Sequence, residues 1–571
     1  MRHLRCAKSF LVLCLASAGL ASAQITITNV SNAGSRLPAS STSSGIAQGA
    51  LFVVAARGIG PADIQQASFP LPTTDGLAGV TIQVSVGGAT LDAIMVYVAP
   101  DEVAAILPSL TPIGTGTIKV TSNGVSATAP IKVVAAAFGI FTQLQGHVGT
   151  AVAFNVSADD GSAAPNSNAQ SAQPGQDVLI NGTGLGAITS DETQSGVIDV
   201  PASAIKVYVG IKPATVVSAG RGVCCDGLDP AYRIPQGIAA WDVIRFTIPD
   251  GVAGCFIPVV VQIGNSVSNL ATISVVAGGG DCAPAVSTLP PELTLRLAGQ
   301  TGVSIGTLGF GRSDGVAEGA QGRISMSKGD TGRAGFSRIN NVPASLFAAD
   351  YFYSENVCQI NGFPGPNGGA VVNGMEAPIV PLTSVPLDAG PTISVIGPSG
   401  TRTITRQTVG TSVVYMAPEF GNATPGNYYD PGHYTVTGTG GKDVGAFSTS
   451  FDVPMAPFVW TNMPSVTAPI DRSKDLMITW TGGIPGTQVT IEGGTLVNGV
   501  AAGFLCAAPV SAGQITVPSY VLLNVSPNPA PAMGGQLTLL NAKVTTFTAS
   551  GLDIGSVRNS GTHTLQGLRF Q

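Results

Sequence analysis

The stretch Gly49-Ala50-Leu51-Phe52-Val53-Val54-Ala55-Ala56-Arg57-Gly58-Ile59-Gly60 is written a second time as Gly175-Gln176-Asp177-Val178-Leu179-Ile180-Asn181-Gly182-Thr183-Gly184-Leu185-Gly186, with three glycines and the apolar run in register. Each copy reads as a glycine turn, a strand of apolar residues and a tight Gly-x-Gly corner. A dinucleotide loop needs the full G-x-G-x-x-G spacing and a helix behind it, and neither follows Gly186. The duplication predicts two β-sandwich modules in tandem.

The match continues outward. Val84-Ser85-Val86-Gly87-Gly88-Ala89-Thr90 answers Val207-Tyr208-Val209-Gly210-Ile211-Lys212-Pro213-Ala214-Thr215, and the segment from Val125-Ser126 to Ile131-Lys132-Val133 answers that from Val267-Ser268 to Ile273-Ser274-Val275. The offset grows from 126 (175 − 49) to 142 (267 − 125), so the second module holds an insertion of about sixteen residues that includes the cysteine-bearing stretch 222–230. Short β-branched runs between Gly, Pro or Asn recur at 80–86, 118–121, 131–134, 205–209, 259–263, 273–276, 392–396, 434–438, 476–480, 488–491 and 536–540, and no segment sustains a 3.6-residue apolar period. These runs predict an all-β chain of tandem Ig-like sandwiches.

At 571 residues the chain is too long for one core. Residues 1–23 read as a signal peptide, because Arg2, Arg5 and Lys8 precede an apolar run at 10–20 and the small-x-small pattern Ala21-Ser22-Ala23. Ig-like sandwiches are expected at 24–140 and, with the insertion, at 141–280. A β-rich domain follows at 285–380, then Ig-like sandwiches at 386–458 and 459–571. Within 386–458, Asp430-Pro431-Gly432-His433-Tyr434 has the D-x-G-x-Y form of a tyrosine corner.

Charged residues make up only 10% of the chain, against the usual ~25%. Without residues 1–23, 23 basic residues face 32 acidic ones, a balance of −9. That sign argues against nucleic acid and anionic membrane surfaces as partners. Gly or Pro or a charge interrupts every later apolar run, so no integral membrane segment is expected.

Several ordered motifs carry a family resemblance: Asn32-Ala33-Gly34-Ser35, Leu77-Ala78-Gly79-Val80, Val96-Tyr97-Val98-Ala99-Pro100 with Ala105-Ile106-Leu107-Pro108, Phe138-Gly139-Ile140-Phe141, and Asp160-Gly161-Ser162 with Asn155, Asn166-Ser167 and Pro174-Gly175. Residues 25–278 resemble the "Solibacter C-terminal" domain family of large exported acidobacterial proteins. The resemblance implies Ig-like halves of the IPT/TIG type and carries over no catalytic residue. The chain departs from the family at Gly34, where alanine is usual, and in placing the unit first rather than last.

Six cysteines follow the signal: Cys224, Cys225, Cys255, Cys282, Cys358 and Cys506. An even count in an exported chain favours disulfides, and six allow 15 connectivities. Four of them lie within 59 residues, and Cys224 and Cys225 are expected to pair with Cys255 and Cys282, stapling the insertion to the second sandwich; Cys358 and Cys506 are candidates to pair across domains. No Cys-x-x-Cys spacing or nearby His points to a metal, and none is expected. His147, His433 and His563 lie far apart and the glutamates are scattered, so no catalytic residue is assigned. Gly440-Gly441-Lys442-Asp443 lacks the remainder of a phosphate loop, and Asp159-Asp160-Gly161 lacks the oxygen ligands of a calcium loop, so no cofactor is expected.

Aromatic pairs remain. Tyr351 and Tyr353, and Tyr428 and Tyr429, lie beside Asn, Asp and Gly and are candidates to stack on a sugar or partner surface. The competing and preferred reading is that strand pleating sends alternate rings into the core. The sequence as a whole describes an exported binding, adhesion or structural protein, secreted or at the cell surface, whose partner is an extracellular polymer or a protein surface. Two alternatives stand beside it: a carbohydrate-binding protein associated with polysaccharide degradation, and a hydrolase with its site in 285–380.

Overall fold

The computed structural model describes residues 25–37, 41–143, 148–196, 198–200, 204–221, 237–282, 302–319, 322–340, 357–361, 371–372, 375–376, 383–409, 412–416, 428–467, 469–497, 500–528 and 535–571. The chain is all-β, built of tandem Ig-like sandwiches; the one α-helix among the described residues is Ser519–Leu523. No described helix is long and apolar enough to cross a membrane.

In the first sandwich, Thr26–Asn32, Leu51–Arg57, Glu102–Ile106, Ile94–Val98 and Gln65–Gln66 form one sheet in that order. Ile46–Ala47, Val125–Val134, Gly114–Ser122, Val80–Val86 and Ala89–Asp92 form the other. Burial alternates strictly along Val80–Val86, as a strand with one face on a core requires. Phe52, Val54, Ile82, Val84, Ile118 and Val120 fill the space between the sheets.

The second sandwich repeats this plan. Val148–Thr150 runs parallel to Leu270–Val275 just as Ile46–Ala47 runs parallel to the end of Val125–Val134. Its departure is Lys212–Arg221, which pairs with Ile205–Val209 in one sheet and Asp242–Thr247 in the other, crossing between them at an irregularity between Val216 and Ser218. The insertion starts where this strand ends, with Arg221 in register opposite Asp242.

From Gly302 onward, strands of all three remaining sequence segments join one sheet. The hairpin Gly302–Gly319 and Gly322–Asn340 lies at its centre, parallel to Ile554–Gln566 on one side and antiparallel to Ser412–Met416 on the other. Strand pairing thus crosses the boundaries drawn at 380–386 and 458–459, while two cores persist. Tyr434, Val436, Phe447 and Phe451 pack with Phe310 and Phe336 of the hairpin. Trp460, Trp480, Ile491 and Leu539 pack with Val260 and Val267 of the second sandwich.

Candidate functional surfaces

The two copies of the opening phrase meet at a seam between the first two sandwiches. Asn32 donates from Nδ2 to the carbonyls of Ala137 and Thr183, both at 3.1 Å, and Leu51 N donates to Thr183 Oγ1 at 2.8 Å. Trp241 stacks on Phe141 with ring centroids 4.4 Å apart, donates to Asn181 Oδ1 at 2.8 Å, and shares a core with Leu51, Val53, Val96 and Ile106 of the first sandwich. The halves are therefore one unit joined by a second hydrophobic core.

A charge cluster lies within this seam. Arg221 Nε is 2.8 Å from Asp242 Oδ1, with both side chains at most 1% exposed. Asp242 Oδ2 accepts from the N–H groups of Gly184 and Leu185 at 2.6 and 2.8 Å, so the corner of the second phrase is held by this carboxylate. Glu192 accepts from Ser109 N and Oγ of the first sandwich at 2.9 and 2.7 Å. Burial pushes the Asp242 carboxyl up to about 6 against the pull of Arg221 and the two N–H groups, and it raises Glu192 against its Ser109 donors. A buried ion pair of this kind contributes registry more than net stability.

Two disulfides are present among the described residues: Cys255 with Cys282, and Cys358 with Cys506. The first corrects the expected pairing of Cys255 and Cys282 with Cys224 and Cys225, which lie outside the described residues. The bend of Gly254–Ile263 between Gly254 and Ile257, with Cys282 N bonded to Asn168 O, brings Cys255 and Cys282 within 5.4 Å at their Cα atoms. That proximity could not be read from spacing alone. Cys358 and Cys506 are direct cross-strand partners, fully buried where the final sandwich meets the second.

Tyr428 and Tyr429 are not ligand-stacking aromatics. They are 2% and 6% exposed, and Tyr428 donates to the carbonyls of Val395 and Gly400 at 2.7 and 3.0 Å. Both rings lie against Tyr434, whose hydroxyl donates to Tyr428 O at 2.6 Å and Asp430 O at 3.0 Å to form the tyrosine corner. Arg312 and Asp330 of the central hairpin clamp the same loop, through Arg312 Nη2 to Tyr429 O at 3.0 Å and Tyr429 N to Asp330 Oδ2 at 2.9 Å. Tyr351 and Tyr353 lie outside the described residues, as do residues 1–24 and His147. No group of three metal-ligating side chains occurs among the described residues. His433 Nδ1 pairs with Asp452 Oδ1 at 2.7 Å on the surface, and His563 Nε2 lies 3.0 Å from Phe458 O.

A surface that motif reading overlooked lies on the far side of the same core. In the strands Gly400–Val409, Thr392–Gly397, Gly432–Gly438 and Phe447–Val453, alternate residues such as Ile404, Val395, Val436 and Phe451 point inward. The outward residues align in register: Thr403, Ser394, Thr437 and Ser448 form one row across the four strands, and Thr401, Ile396, Thr435 and Ser450 form the next. None of these hydroxyls has a hydrogen-bond partner among the described residues. The arginines of Gly400–Val409 lie on the other side, Arg402 5.0 Å from the Tyr428 ring centre and Arg406 3.3 Å from Asp388. The signal for this face was the alternation of Thr and Ser with apolar residues.

These features define a class, multi-domain Ig-like sandwich proteins stapled by disulfides. No protein-family model and no curated protein matches the chain. Among solved structures it is similar to the plexin A4 extracellular region, domains 1 to 8, at 10% identity and a TM-score of 0.14, covering 44% of this chain and 18% of that one. It is similar to domains 5–6 of the S-layer protein SbsC at 14% identity and a TM-score of 0.15, covering 44% of this chain and 97% of that one. It is also similar to SGBP-B of the Bacteroides ovatus mixed-linkage glucan utilization locus, solved in complex with a mixed-linkage heptasaccharide, at 10% identity and a TM-score of 0.14, covering 87% of this chain and 97% of that one. The chain spans less than a fifth of the plexin structure it matches. The fold assignment rests on the sheets described above.

Proposed function

We propose that this is an exported protein that acts by binding, as a rigid extracellular or cell-surface scaffold, rather than by catalysis. The observation that carries the reading is the pair of disulfides, one closing the second sandwich and one buried at its contact with the final sandwich. Such bonds persist in oxidising compartments and are rare in the cytosol. The mutually buried sandwiches support the same reading, since they hold outward sheet faces in fixed relative positions while leaving those faces free for a partner. In this reading residues 1–23 direct export, and residues 25–278 share the lineage of the "Solibacter C-terminal" family. The partner is an extracellular polymer or protein surface.

Protease treatment of intact cells that express the full chain tests the location. Digestion from outside, or recovery of the chain from the medium, is expected. Protection of the whole pool until lysis, with Cys255 and Cys358 alkylated as free thiols, would overturn the reading.

A further inference from the structure

We propose that the outward face of the strands Gly400–Val409, Thr392–Gly397, Gly432–Gly438 and Phe447–Val453 is a docking surface for a neutral, hydroxyl-rich glycan laid along the cross-strand rows of Ser and Thr. This rests on the reading of the protein as an extracellular binder, and it adds the surface and the chemical class of its ligand.

The face is chemically uniform. Its two central rows hold seven hydroxyls and one aliphatic side chain, Ile396, which is 49% exposed. Each hydroxyl offers one donor and two acceptor sites, and here none is spent within the described chain. Rows run across strands about 4.8 Å apart, and successive outward residues along a strand are about 6.8 Å apart, so the groups form a two-dimensional grid. A partner must replace the water on this grid with hydrogen bonds or leave polar groups stripped of partners, which disfavours binding.

That requirement selects the occupant. An apolar partner has nothing to give the hydroxyls. A polyanion needs Lys and Arg, and the two rows contain neither; the arginines of Gly400–Val409 are turned to Tyr428 and Asp388, while His433 at the margin is bonded to Asp452. A net charge of −9 without residues 1–23 (23 basic against 32 acidic) repels acidic polymers further. Protein interface cores are enriched in aromatic residues, Met and Arg and depleted in Ser, the reverse of this face. A neutral glycan supplies hydroxyls of its own at short repeats and a C–H face for Ile396. The complementarity is that of an uncharged, polar, periodic surface for an uncharged, polar, periodic chain.

Native-gel affinity electrophoresis of the full chain in hydroxyethylcellulose, mixed-linkage glucan, galactomannan or polygalacturonate tests this. The wild-type chain is expected to be retarded by at least one neutral polymer and not by polygalacturonate. Thr403→Val/Thr437→Val, which keeps strand propensity and shape, is expected to weaken that retardation at least ten-fold with an unchanged melting temperature. Ser448→Ala/Ser450→Ala is expected to weaken it likewise, and serves if the first variant misfolds. Thr115→Val/Thr117→Val, on the first sandwich, is expected to leave it intact. Absence of retardation in every neutral polymer, or equal retardation of wild type and both face variants, would overturn the proposal. Retardation by polygalacturonate that the face variants leave unchanged would sink this surface while sparing the broader reading of a binder.

Discussion

Gly49 and Gly186, the first glycine of one copy of the doubled phrase and the last of the other, face each other across the seam. A β-carbon on Gly49 would lie 3.0 Å from the Gly186 carbonyl oxygen and 3.1 Å from a guanidinium nitrogen of Arg221. Glycines that look like turn punctuation in each copy are therefore also the contact between the copies. At Gly184 the demand is sharper, with φ +115° and a β-carbon only 2.1 Å from Ala137 O. Gly184→Ala is expected to cost about 3 kcal/mol or more, from positive φ and overpacking together. Gly175→Ala, at φ +82° in open space, should cost about 1 kcal/mol from the backbone alone. Urea denaturation of both variants checks the difference, and equal losses would mean the seam is loose.

Removing Arg221 leaves Asp242 as an uncompensated buried charge, so Arg221→Met is expected to cost about 3–5 kcal/mol, and Arg221→Met/Asp242→Leu much less. The cluster also sets a pH dependence. Because the folded-state pKa of Asp242 is raised to about 6, above its unfolded value, the fold binds this proton more tightly than the open chain does. Its contribution is fully present below the unfolded value near 3.9 and is lost as pH rises through 6. Glu192 shifts in the same direction. Stability measured by denaturant titration should therefore rise on moving from pH 7.5 to pH 5, and the rise should shrink in Asp242→Asn. A wild-type profile that is flat over this window would contradict the cluster.

Cys358 and Cys506 are 148 residues apart in sequence yet face each other in register on adjacent strands. Closing so long a loop restricts the unfolded chain, and Cys358→Ser/Cys506→Ser is expected to lose about 3–5 kcal/mol. Pulsed proteolysis should then cut near the strand Val357–Asn361 first, since the bond holds that strand to the sheet edge. The Cys255–Cys282 bond closes a 27-residue span, so Cys255→Ser/Cys282→Ser should cost somewhat less.

The doubled phrase, the β-branched runs and the D-x-G-x-Y pattern were legible because each is local: a strand, its turn and its corner occupy consecutive residues. The first two sandwiches and the Tyr434 corner follow from them. What could not be read is non-local. Ile554–Gln566 runs parallel to Gly302–Gly319 from some 250 residues away, and nothing in either segment names the other. Cys255 meets Cys282 because of a bend in its strand, and its 27-residue spacing to Cys282 differs too little from the 30 to Cys225 to select the partner. The preferred reading of Tyr428 and Tyr429 sends one ring of the pair inward by alternation, yet both rings are drawn in beside Tyr434. The hydroxyl rows escaped notice because Thr and Ser carry no motif, and only strand register assembles them.

The tyrosine corner gives a prediction in alkali. Burial raises Tyr434 to about 12, and it raises Tyr429 and Tyr520 as well. A raised phenol stabilises the fold fully below its unfolded pKa near 10, and that stability is lost as pH rises through the folded value. Cooperative unfolding is expected between pH 10 and 12, together with the rise of tyrosinate absorbance. Tyr434→Phe should cost about 1–3 kcal/mol, because it strips the buried Tyr428 carbonyl and the partly buried Asp430 carbonyl of their donor. If tyrosinate formed smoothly without unfolding, the rings would have to be solvent-accessible.

Tyr520 joins the last sandwich to the second. Its hydroxyl donates to Gly210 O at 2.9 Å, its ring centre lies 4.7 Å from that of Tyr208, and it is wholly buried with Val521 and Leu522 against Val260 and Val267. Thr42, from the first sandwich, adds a bond to Leu523 O at 2.9 Å, so three parts of the chain converge on one short helix. An interface of this kind makes distant domains unfold together, because neither can open without exposing the other's apolar face. Tyr520→Ala should cost about 3–5 kcal/mol. In calorimetry it should split one transition into two, residues 25–282 melting apart from 302–571, whereas Tyr520→Phe should lose only the hydrogen bond and keep a single transition. Two transitions already present in the wild-type chain would show that the sandwiches are independent, and with that the shared core would cease to explain their fixed positions.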